Sequence, residues 1–79
     1  MIAMNRSEAL GAARRLMRGF AGAPDARRHA QQFYSALVHA EGWSKGEQDL
    51  IVTLGIWLGE RPSVNELKKR CDETLEKLA

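Results

Sequence analysis

Cysteine occurs once in this 79-residue chain, which rules out an internal disulfide. With only two histidines beside it, a conventional structural zinc site is short of ligands. No apolar run approaches the 18 or so residues that a membrane-crossing helix needs. The first ten residues lack the apolar centre of a secretory signal, so a cytoplasmic setting is expected. No glycine-rich loop leads into a helix with a phosphate-binding lysine. No cofactor and no metal are expected.

What is present reads as a folded domain. Apolar residues are 44% and charged residues 28%, a globular balance that argues against disorder. A single helical domain is expected over residues 1–79. A chain of this length buries only about 60% of its unfolded surface, so its stability is modest unless it associates. The net charge of +2 is unevenly spread. Residues 1–40 hold six arginines against two acids, a net +4, while residues 41–79 hold six bases against eight acids, a net −2. Such a division suits an anionic partner for one face, or head-to-tail self-association.

Glycine and proline clusters at Gly19–Pro24, Gly42–Ser44 and Gly59–Ser63 divide the chain into four segments of helical length. In the first, Asn5 and Glu8 form a capping box, and Leu10, Ala13, Met17 and Phe20 make one apolar face. The second is expected to start at Pro24, in the first helical turn, and to stop before Gly42. Its stripe is Ala26, Ala30, Phe33, Leu37 and Ala40. Ser44 and Glu47 cap the third, which ends at Gly59 and packs Leu50, Ile51, Leu54, Trp57 and Leu58. Ile51-Val52-Thr53 favours a strand locally, but the caps and the length favour helix. Ser63 and Glu66 form a third capping box. Val64, Leu67, Cys71, Leu75 and Leu78 follow as the apolar stripe of the fourth segment. Charge pairs Glu66–Arg70, Lys69–Glu73 and Glu73–Lys77 are expected along it. Four helices with loops of two to five residues predict an all-α fold, a small four-helix bundle or three helices with a docked C-terminal helix.

Residues that could carry chemistry are better explained by packing or solvation. Cys71 lies inside the fourth apolar stripe, away from any activating base or helix N-terminus, and reads as core. His29 borders the apolar face of the second helix and His39 points outward, too far apart to share a metal. Glu60, Asp72, Glu73 and Glu76 read as solvated faces and cap neighbours. A non-enzymatic protein is expected.

Two surfaces remain. Arg14, Arg15 and Arg18 on the first helix, with Arg27 and Arg28 at the start of the second, form exposed basic faces able to meet carboxylates or phosphates. The third helix carries a second apolar side, Val52 and Ile56, with Tyr34 and Val38 flanking the main stripe on the second helix. Gly55, between the two sides, would let another backbone approach. These apolar residues suggest an interface with another protein or a second copy of the chain. The alternative is that the third helix is central and touched by all the others. The expected function is a small interaction module, an inhibitor or adaptor binding a larger protein or complex or forming a homodimer. Bacteriophages and mobile elements encode proteins of this size, anti-CRISPR proteins among them, a class argument from size alone. The alternative function is a small DNA-binding regulator using the arginine faces, against which stand the low net charge and the lack of interleaved aromatics.

Overall fold

The computed structural model describes residues 4–79. Residues 1–3, counted in the expected domain, lie outside the described residues. Four helices follow one another: α1 (Arg6–Arg18), α2 (Ala26–Val38), α3 (Lys45–Gly59) and α4 (Val64–Leu78). A short 3-10 turn, Phe20–Gly22, follows α1. The fold is all-α and consistent with a four-helix bundle, as the periodicity predicts.

Local chemistry explains most of the helix starts. Asn5 accepts from Glu8 N–H at 2.8 Å while its own N–H donates to Glu8 Oε1 at 3.1 Å, a complete capping box. Ser44 and Glu47 repeat the arrangement at α3. At α2 the cap is Asp25, accepting from Arg28 N–H at 3.1 Å, and Pro24 lies outside the helix. An aspartate side chain supplies the acceptor that the orphan N–H groups need, which a proline ring cannot. Ser63 occupies the cap position of α4, but its side chain makes no capping bond. The expected third box is therefore not formed.

Other departures have equally local causes. The connections span residues 19–25, 39–44 and 60–63, mostly longer than expected because Phe20 and Ala40 leave the helices. Phe20 is nonetheless buried through the 3-10 turn. Gly59 stays helical, and α3 turns off two residues later, at Arg61, which takes the left-handed φ of 56°. Val64 opens α4 with half its surface exposed and does not join the core. The ion pair formed along α4 is Lys68–Asp72 at 3.2 Å, whereas Arg70 lies over the Trp57 ring, 5.2 Å from its centroid.

The packing order decides what each helix must bury. α2 and α4 each pack on all three other helices, and α1 and α3 stand at opposite corners. α3 is therefore not the central helix. The core joins Leu10, Ala13 and Met17 of α1 to Phe33 and Leu37 of α2, Ile51, Leu54 and Leu58 of α3, and Leu67, Cys71 and Leu78 of α4. Trp43, before α3, is buried and donates its Nε1–H at 2.8 Å to the Leu37 carbonyl, which also accepts the Ala40 N–H at 3.2 Å at the end of α2.

Arg6 links the two corners. Its Nε and Nη2 donate to Glu47 Oε2 at 3.0 and 2.7 Å, and Nη2 also donates to the Leu78 carbonyl at 2.8 Å. Glu47 keeps its other oxygen for the Ser44 N–H, so one carboxylate both caps α3 and holds α1. The guanidinium also lies 5.7 Å from the Trp43 ring centroid.

Candidate functional site

Among the described residues, three of the four exposed large apolar side chains lie on α2 and α3, and the fourth, Val64, opens α4. Val52 and Ile56, one helical turn apart on α3, are 51% and 65% exposed, and Val38 at the end of α2 is 39% exposed. Val38 and Val52 line one cleft of about 210 Å³ together with Ala40, Trp43, Gln48 and Ile51. Val38, Val52 and Ile56 thus keep the exposure expected from sequence.

Tyr34 does not. It is partly buried against the core, and its ring covers Gly55 so closely that a Cβ there would stand 2.5 Å from the ring carbon Cζ. The close approach that Gly55 permits is internal, by a side chain of the same molecule. Tyr34 joins α2 to α3 and is not a free interface residue.

All five expected arginines, Arg14, Arg15, Arg18, Arg27 and Arg28, are exposed. They do not share one site. Arg14, Arg15 and Arg18 lie on α1, Arg15 reaching over Gly11. Arg28 lines a shallow cleft with Asp25, His29 and Gln32. Arg27, its neighbour in the chain, lines a different cleft with Gln31, Leu58, Arg61 and Leu67, of about 130 Å³. Helical geometry causes the split, because adjacent residues project about 100° apart. Arg61, absent from the sequence-based set, has a signal in hindsight: it precedes Pro62, where a helix cannot continue.

The other reactive groups are engaged locally. His29 bonds to the Leu16 carbonyl through Nε2, and its ring meets Phe20 edge-on at 5.0 Å. His39 Nδ1 lies within hydrogen-bond distance of the Ser35 carbonyl and hydroxyl. Cys71 is buried, and burial first, then the charge of Asp72, pushes its thiol up to about 12. Gly42–Gly46 matches the G-x-S-x-G spacing of a nucleophile turn, a weak signal by itself. Ser44 spends its hydroxyl capping α3, the turn joins two helices with no preceding strand, and both histidines bond elsewhere. Among the described residues no group of three His, Cys, Asp or Glu side chains gathers to hold a metal ion. No helix among them is long and apolar enough to cross a membrane.

Compared with known protein families, curated proteins and solved structures, the chain matches none of them.

Proposed function

We propose that the chain is a small, non-enzymatic interaction module that works in the cytoplasm as an inhibitor or adaptor, docking a larger protein on its α2–α3 side. One observation carries this reading. α3 sits at a corner of the bundle, packed on α2 and α4, yet keeps Val52 and Ile56 on its outward side. A corner helix needs a single apolar stripe for its own fold. Covering each of these side chains is worth up to about 1.5–3 kcal/mol, a large sum for so small a domain. The DNA-binding alternative has less behind it, because the arginines point into separate clefts and faces.

The test uses Ile56→Asp. Ile56 is exposed, so the variant keeps its helical circular dichroism and its thermal midpoint. Affinity capture from the cell of origin, run with wild type and variant together, compares the retained proteins. A protein held by wild type and lost by the folded variant supports the reading. Equal capture by both, or unfolding of the variant, overturns it.

A further inference from the structure

We propose that the seam between α2 and α3 takes an acidic–aliphatic segment of the partner, with a carboxylate between Arg27 and Arg61 and an apolar side chain against Val38 and Val52. This rests on the docking reading above and names the chemistry of what docks.

Two clefts lie along the seam, on either side of Tyr34. The Arg27–Arg61 cleft has leucines beneath it, Leu58 and Leu67, and no acid in its lining. Among the described residues neither arginine has a carboxylate within 4 Å; the ion pairs found are Arg6–Glu47 and Lys68–Asp72. Glu66, adjacent to Leu67, lines the α3–α4 groove beside Trp57, Lys69 and Arg70. That groove holds both signs of charge, Glu66 and Glu73 standing with Lys69 and Arg70. The Arg27–Arg61 cleft is different: its positive charge has no compensating acid.

Backbone geometry adds a second observation. Arg61 holds a φ of 56°, where a Cβ is strained and glycine is favoured. The chain thus places a long cation at a position where a glycine would turn the corner with less strain. Two guanidiniums above an apolar floor suit a carboxylate borne on methylenes, since the floor takes the methylenes and strengthens the charge pairing above it.

At the other end, the Val38–Val52 cleft has no charged residue in its lining. Arg27 and Val38 are 11 residues apart on one helix, about 16 Å. Eleven residues of helix, or about five of extended chain, carry an acid and an aliphatic side chain across that distance. A nucleic-acid backbone offers anions for the first cleft but no aliphatic group for the second. The observations therefore favour protein.

The probe is a blocked, alanine-based helical peptide of about 13 residues, with leucine near one end and glutamate 11 residues away. It is titrated into 15N-labelled protein, beside a control peptide carrying glutamine for glutamate. Expected are shifts confined to Arg27, Gln31, Arg61, Val38 and Val52, and affinity at least about fivefold weaker for the control and for Arg27→Gln. Arg61→Gly should weaken binding equally. That variant relieves the left-handed strain, and an unchanged thermal midpoint separates its loss of binding from unfolding. Binding elsewhere, no shifts at millimolar peptide, or equal binding of the control overturns the proposal. So does the same set of shifts on adding a short DNA duplex, or on concentrating the protein alone, which would assign the seam to nucleic acid or to a second copy. If the peptide fails while Ile56→Asp still loses a captured partner, the docking reading stands and only the acidic partner falls.

Discussion

The Tyr34 ring lies directly on Gly55, so that a Cβ at position 55 would come within 2.6 Å of the phenol oxygen and 2.5 Å of Cζ. Contacts that short force the ring to move. Gly55→Ala should therefore destabilise the protein by about 1–3 kcal/mol, despite alanine's better helix propensity. In a Tyr34→Ala background the obstacle is gone, and the same substitution should stabilise by about 1 kcal/mol. Urea denaturation of the four proteins measures both steps. The same sign in both backgrounds would show that Tyr34 does not fill the space over Gly55.

Glu47 sets a pH dependence. The hydrogen bonds from Arg6, then the one from the Ser44 backbone, hold its carboxyl down to about 2 against the usual 4.5. Donating to Glu47 in turn raises the Arg6 guanidinium. Because the folded-state value lies below the unfolded one, the unfolded chain takes up the proton first. The pairing thus stabilises fully above pH 4.5 and is lost as pH falls toward 2. Thermal midpoints measured between pH 7 and pH 2 should fall across that window. Glu47→Gln should lower the midpoint at pH 7 and flatten the fall. An unchanged slope in the variant would assign the acid sensitivity to other carboxylates.

Features that depend on neighbouring residues were legible in the sequence, and features that depend on distant ones were not. The Asn5–Glu8 and Ser44–Glu47 boxes are decided within four residues, and both formed. Cys71 follows from the α4 stripe alone. Ser63–Glu66 has the same local pattern but no side-chain bond, and Val64 after it stays half exposed, where the chain enters α4 shortly after the left-handed turn at Arg61. Arg6–Glu47, Tyr34–Gly55 and the pairing of Arg27 with Arg61 each join separate elements, and no periodicity announces them. The surplus apolar surface of α3 was readable as a pattern. That it faces solvent required knowing that α3 stands at a corner.

Cys71 offers a probe of opening. Its thiol is fully buried and pushed up to about 12, so both access and ionisation must wait for the core to part. Labelling of the native protein at pH 8 should be slow and should accelerate with urea in step with unfolding. Immediate reaction would place the thiol at the surface.

Arg14 and Arg18, one turn apart and both exposed, repel each other on α1. Arg14→Glu converts that repulsion to an attraction of the favoured order and should raise stability by about 0.2–0.5 kcal/mol at low salt. Arg18→Glu should have the opposite effect, because Arg18 sits in the last turn of α1, where a cation complements the helix dipole. Both effects should fade in high salt. A matching gel-shift series with duplex DNA should show no binding by wild type at physiological salt; steeply salt-dependent binding that Arg14→Glu abolishes would instead favour the DNA-binding reading.

The Arg6 clasp has a consequence in time. Its partners Glu47 and Leu78 lie 41 and 72 positions along the chain, so it closes only when three elements have already come together. A contact that needs so much prior loop closure is made after the folding barrier is crossed. Removing it should then leave the rate of folding almost untouched and fall on the return journey. In stopped-flow chevrons, Arg6→Gln should speed the unfolding arm and leave the refolding arm in place. Arg6 thus governs how long each molecule keeps its shape once it has found it.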